Sequence, residues 1–372
     1  MSPEFEIQLI AVIVAVTCSL PGVFLVLRKM SMMSDSITHT ILLGIVLGFF
    51  VTNDLSSPLL IVGATIMGVI TVWLTETLNR TKLVSEDSAI GIVFPLLFSI
   101  AIILITRYAG GVHLDTDSVL LGELAFTPFD RMIIGGIDIG AKAIYTTGIL
   151  LIINLAVITI FFKELKVVTF DPMIAAVLGF APSIVHYGLM TMVSLTTVGS
   201  FQAVGSVLVV AFMIGPPITA YLLTDDLKIM LTLSGFIGAL NAILGYQLAK
   251  YLDVSIAGSM AVMTGIIFLI VFIFAPRRGF VSVIRRRSTQ KIEFAKTTLL
   301  FHLHNHEASE NEHEEAGINS LQNHLNWNET FFVKIITKLQ NSNYIFIEND
   351  IVKLTEQGRE KSIGDYESLF HT

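Results

Sequence analysis

The sequence predicts an all-α polytopic membrane protein of eight to nine transmembrane helices, followed by a small α/β domain. Three observations predict it. Of 372 residues, 53% are hydrophobic and only 14% charged, with a mean hydropathy of +0.75; a soluble domain carries roughly 25% charged residues. Apolar runs of spanning length, about 20 residues, recur along most of the chain. The polar remainder is acidic: residues 290–372 hold 7 basic and 13 acidic side chains, against 16 and 17 in residues 1–289. The domains are drawn at 1–285 and 286–372.

The spans are expected at about 8–27, 35–53, 57–78, 88–106, 144–163, 181–199, 201–223, 229–249 and 256–275. Glu4 and Glu6, rather than Lys or Arg, precede the first, so it reads as a retained span and not a signal peptide. Its Cys18 is the only cysteine, which excludes an internal disulfide or a thiolate cluster. Only Gly199-Ser200 separates the sixth span from the seventh; a broken or re-entrant helix there would leave eight crossings. Pro21-Gly22 and Gly215-Pro216-Pro217 predict interruptions of the first and seventh spans. Proline removes a backbone donor, and in lipid the freed carbonyl needs a protein or water partner. Gly44 and Gly48, four apart, permit close helix contact. Residues 107–142 form the longest polar connection, where a short amphipathic helix is expected.

Basic residues set the orientation. Arg28-Lys29, Arg80 with Lys82, Lys163 with Lys166, Lys228, and the arginines from 277 to 287 fall at alternate span ends. They mark the cytoplasmic face. The N-terminus is then outside and the C-terminal domain inside, which agrees with nine crossings.

Asp35 and His39 carry the chemistry. They lie four residues apart in an apolar run and share one helix face. Ionisable groups at such depth are expensive and usually line an ion path. One offers a hard oxygen and the other a borderline nitrogen, a set that suits divalent transition metals. The bland alternative is that Asp35 caps the second span and His39 is a core histidine. A second polar signal is Asp171-Pro172, a helix start in which Asp caps and Pro fits the first turn. Gly179 closes it. A helix of about two turns exposing small residues is expected there.

In combination these motifs resemble the permeases of manganese, zinc and iron ABC importers. The residues that carry the resemblance are 28–39 (RKMSMMSDSITH), 86–94 (EDSAIGIVF), 171–179 and 199–217 (GSFQAVGSVLVVAFMIGPP). It covers about residues 5–280. It implies a fold like the vitamin B12 and siderophore importers, in a bacterial plasma membrane, with a second permease chain (identical or paralogous) completing the pore. It also implies a cytoplasmic ATPase, an external solute-binding protein, and no resident cofactor beyond the transported metal ion. Asp35 and His39 correspond to the family's intramembrane metal ligands. Asp171, Pro172, Met173, Ala175, Ala176 and Gly179 correspond to its ATPase-coupling helix. Met33 and Leu43 depart from the small residue and the proline common at those places, which implies altered gate width or helix shape. Met173 replaces an acidic residue, which removes a charged contact. No phosphate-binding loop is present in the sequence, so the chain is not expected to be an enzyme. An ion-coupled secondary transporter is the alternative; it would need charge pairs in several spans, and Asp35 and His39 stand nearly alone.

The C-terminal domain is expected to hold helices at about 290–304, 316–325 and 328–341, then a hairpin pairing 344–347 with 351–354. Residues 354–359 resemble the wing of winged-helix domains. DNA binding needs a basic surface, and this domain is acidic, so a protein-interaction or regulatory role is favoured over nucleic acid or a tethered DNA-binding regulator. Six of the nine histidines lie here. His302, His304, His306 and His313, among glutamates, form a candidate metal tract.

Overall fold

The structure, a computed structural model, describes residues 2–54, 57–108, 124–134, 137–307 and 315–370. Its contacts divide it into two units, Met1–Gly279 and Phe280–Thr372.

Among the described residues of the first unit, nine helices have the length and apolarity to cross a membrane. They are α1 (Pro3–Leu27), α2 (Ser31–Thr52), α3 (Pro58–Arg80), α4 (Glu86–Tyr108), α5 (Lys142–Ile160), α8 (Pro182–Val204), α9 (Ser206–Leu223), α10 (Leu227–Leu252) and α11 (Ile256–Phe274). Two short helices, α6 (Phe162–Phe170) and α7 (Pro172–Val177), connect α5 to α8. Nine spans are therefore favoured over eight. The break between the sixth and seventh is not at Gly199-Ser200, which lie inside α8. It falls at Gly205, whose φ of 79° is a conformation only glycine adopts cheaply.

α1 is the most deeply enclosed helix, packed against α5, α8, α9 and α10. Val14, Phe24, Phe212 and Met213 are fully buried in this core. A second cluster joins α2, α3 and α4 through Leu42, Leu43, Met67, Val93 and Leu97. α4, α5 and α11 are the least enclosed spans. Their exposed Ile103, Ile152 and Phe274 form the apolar exterior expected of a lipid-facing surface.

The proline sites do not interrupt their helices. α1 runs through Pro21 and α9 through Pro216 and Pro217. Two of the freed carbonyls meet a neighbouring helix. Pro21 releases the carbonyl of Thr17, four residues earlier, and Asn154 of α5 donates its amide to it at 3.1 Å. Pro217 releases the carbonyl of Met213, and Gly22 of α1 lies directly on it; any Cβ at Gly22 would overlap that oxygen. Glycine is thus required where one proline site touches the other.

Ion pairs bracket the apolar slab. At one end Lys250 binds Glu4 at 2.8 Å, and Arg131 binds Glu6 at 2.8 Å. At the other end Arg277 and Arg278 meet Asp225. Arg131 belongs to a hairpin, β1 (Arg131–Ile134) and β2 (Ile137–Ala141), preceded by a 3₁₀ turn at Thr127–Phe129. The amphipathic helix expected in this connection falls in large part on residues 109–123, outside the described residues; the described part from residue 124 holds the 3₁₀ turn and the hairpin. Arg131 also pairs with Asp138 at 2.8 Å across the two strands.

The second unit contains α12 (Phe280–His306), α13 (Ile318–His324), α14 (Glu329–Asn341), β3 (Ile345–Glu348), β4 (Ile351–Leu354) and α15 (Glu356–Phe370). α12 begins earlier than its apolar pattern indicated, and the sequence reading did not anticipate α15. Leu299 and Leu303 of α12, Leu321 of α13, and Ile335 and Leu339 of α14 form its own core. The hairpin pairs Ile345 with Leu354 and Glu348 with Ile351. Its turn residues Asn349 and Asp350 both have positive φ, the two-residue turn that matches strand twist.

Candidate functional site

α2 starts at Ser31 with Met30 as its cap. Asp35 therefore lies in the second turn and does not cap the helix, which removes the bland alternative for it. His39 Nε2 is 3.6 Å from Asp35 Oδ1. The imidazole packs on α4, with ring centroids 5.1 Å from Phe94 and 5.8 Å from Phe98. The two side chains remain 45% (Asp35) and 26% (His39) exposed in the single chain. The two side chains thus share one helix face and stay partly open beside an apolar surround.

Tight packing fixes that face. A Cβ at Gly44 would overlap the Gly63 backbone of α3, and one at Gly48 would lie 3.2 Å from the Leu60 Cα. The close approach expected from this glycine pair is real. Thr71 of α3 donates to Thr40 of α2 at 2.8 Å, and Ser34 donates to the Met213 sulfur at 3.1 Å. Met33 and Leu43 are buried.

A second polar group lies where α3 ends and α8 begins. Glu76 is ion-paired with His186. It also accepts a 2.9 Å hydrogen bond from the Tyr187 hydroxyl, and Arg80 stands 3.8 Å away. These side chains, with Arg28, Met33 and Glu86, line a cavity of about 360 Å³. Burial pulls the Arg28 guanidinium below its ordinary pKa, against the opposing charges of Glu76 and Glu86. Asp35 and His39 are therefore not nearly alone among the spans. The signal available was a carboxylate inside an apolar run; what sequence could not show was a partner 110 positions away.

Asp171 caps α7 as expected, accepting from the Met173 and Ile174 amides at 2.9 Å each. Gly179 ends it with a φ of 86°. The exposed face differs from expectation. Ala175 is fully buried against its own chain and is unavailable to a partner. Met173, Ile174, Val177 and Leu178 are exposed beside Pro172 and Ala176. The surface offered is large and apolar rather than small.

In the second unit the histidine tract divides. His302 and His306 are one turn apart on α12, with ring centroids 4.7 Å apart. His304 lies on another side of that helix, with its Nδ1 buried. His313 lies outside the described residues. The partners of His302 are instead Glu315 and His324.

Residues 5–275, most of the chain, match the ABC 3 transport family. The chain belongs to that family. This ABC 3 family chain is 42% identical over 353 residues to the zinc transport system membrane protein TroD of Treponema pallidum, covering 95% of this chain and 96% of that one. It is 46% identical over 281 residues to the manganese transport system membrane protein MntD of Bacillus subtilis, covering 75% and 95%. Its fold is similar to a solved structure of PsaBC from Streptococcus pneumoniae in complex with Fab, with a TM-score of 0.63 and 28% identity over 76% of this chain and 95% of that one. The resemblance read in residues 5–280 is thereby borne out for the membrane unit. The family chain is a multi-pass membrane component.

Proposed function

We propose that this ABC 3 family chain is the channel subunit of an ATP-driven importer of divalent transition-metal ions. The observation that carries the reading is the Asp35–His39 pair: two metal-ligating side chains on one face of α2, still open in the single chain. Two ligands are too few for a stable site. A second permease chain related by a two-fold axis supplies two more, and four N and O donors make a complete set for such an ion. Placed at the seam between chains, the site binds the ion in passing, and opening the seam removes half of its ligands at once. Without the ion, two facing Asp35 carboxylates repel each other or share a proton.

The names of the relatives favour zinc or manganese as cargo. An oxygen and nitrogen donor set accepts both, and affinity alone ranks zinc above manganese. The driving ATPase docks on α7, and a solute-binding protein delivers the ion from the opposite face. With nine crossings the N-terminus is external and the second unit is cytoplasmic, as the basic residues indicate.

The test is uptake by vesicles that hold this chain, its ATPase and its binding protein, comparing wild type with His39→Ala. Uptake of one divalent ion should collapse while the assembly persists. Undiminished uptake in the variant would make His39 a packing residue and remove the seam site.

A further inference from the structure

One group of three ligating side chains converges in the second unit. His302 projects from α12, Glu315 precedes α13, and His324 ends α13. One ligand atom from each lies within 4.8 Å of the others. His324 Nδ1 is 2.9 Å, and His302 Nε2 3.6 Å, from the same oxygen, Glu315 Oε2.

We propose that His302, Glu315 and His324 form a binding site for one divalent d-block cation of the zinc type, separate from the ion path of the membrane unit. Donors around a tetrahedral ion, each about 2.1 Å from it, stand about 3.4 Å apart. The two observed separations bracket that edge; to close the site, His302 Nε2 gives up its 3.1 Å contact with the Glu315 carbonyl oxygen and the third edge, no longer than 4.8 Å, shortens. Two imidazoles and one carboxylate are a borderline set that binds zinc in preference to manganese or magnesium. The ligands come from three stretches of chain that the domain core already holds. Leu299 and Leu303 flank His302, and Leu321 lies one turn before His324; all three are buried. Side chains mounted on packed helices keep their geometry better than those on loops. The excess of acidic side chains in residues 290–372 also favours a cation over an anion.

Three protein ligands leave a fourth position for water, the pattern of a site that exchanges rather than one that only holds structure. The ion would tie α12 to α13 and to Glu315 between them. The residues after Glu315 adjoin the hairpin: Val352 of β4 donates to the Ala316 carbonyl at 2.9 Å, and Gly317 bridges to Ile351. The binding claim does not depend on the transport reading.

The test uses the full chain in detergent, with zinc alone as the probe and bound metal measured after dialysis. The double variant His302→Gln, His324→Gln should bind one equivalent fewer than wild type. The double variant Asp35→Asn, His39→Gln should keep that equivalent, and His304→Gln should match wild type. A histidine footprint on the unmodified wild-type chain guards against a variant that misfolds: zinc should shield His302 and His324 from diethylpyrocarbonate. Unchanged stoichiometry in the first double variant, or no shielding of His302 and His324 in wild type, overturns the site.

Discussion

Asn154 on α5 donates its side-chain amide to the main-chain oxygen of Thr17 on α1, the oxygen that Pro21 leaves without a helical donor. The same amide reaches the Thr196 hydroxyl of α8 at 2.8 Å. One side chain thus ties three helices together at the weak point of the central one. Replacing Asn154 with Leu keeps the volume and orphans a buried carbonyl. The expected cost is about 1–3 kcal/mol. Thermal unfolding in detergent, wild type against Asn154→Leu, measures it; an unchanged midpoint would mean that Thr17 finds another donor.

The α2–α3 contact gives a paired prediction. Gly44→Leu pushes a side chain into the Gly63 backbone and should destabilise by about 1–3 kcal/mol, the usual effect of overpacking. Gly91→Ala and Gly148→Ala meet nothing within 4 Å. They should be neutral or stabilise by about 0.5–1 kcal/mol, since helical glycine is entropically costly. Unfolding midpoints of the three variants decide the matter, and equal effects would refute the close approach.

Glu76 and Asp35 should behave differently. Glu76 is embedded among His186, Tyr187 and Arg80, whereas Asp35 is nearly half exposed. Glu76→Leu leaves buried partners unsatisfied and should cost about 1–3 kcal/mol. Asp35→Asn should change stability by no more than about 0.5 kcal/mol. Its effect should fall on uptake instead, by at least the roughly 10–100-fold that loss of even an outer metal partner costs. Parallel melts and uptake assays separate the two roles.

Asp171→Ala removes the α7 cap, with an expected loss of about 1 kcal/mol from that helix. Met173→Glu places a charge on the exposed apolar face. Both variants should assemble less well with the ATPase. Co-purification yield and metal-stimulated ATP hydrolysis report the difference. Full assembly by Met173→Glu would move the docking surface away from α7.

The hairpin has a defined acid limit. The Arg131 guanidinium, then the Gly140 amide, hold the Asp138 carboxyl below its ordinary 3.8. A depressed value contributes stability that is complete above 3.8 and lost as pH falls through the lower folded value. Hydrogen exchange of β2, compared with Asp138→Asn, should therefore differ at neutral pH and converge in strong acid. A difference that first disappears near neutrality would contradict this pairing.

The spans were legible because a run of apolar side chains must be about 20 residues long to cross lipid, whatever its neighbours. Asp35 and His39 were legible because they share a single helix. Glu76 with His186, and His302 with Glu315 and His324, were not, since they meet through tertiary packing that one sequence does not encode locally. The break at Gly205 was missed for a related reason. Several glycines in 199–215 look alike in sequence, and only the backbone shows which one takes a positive φ. Ala175 looked available because alanine is small; its burial depends on how α7 packs on its own chain.

α7 uses its one carboxylate, Asp171, to cap itself, and what it turns outward is Met173, Ile174, Val177 and Leu178. A partner docked on such a surface is held by the removal of water from hydrocarbon. That attraction fades on cooling and is little affected by ionic strength, which screens charges. Coupling through α7 would therefore tolerate brine and fail in the cold, the reverse of a joint made from salt bridges.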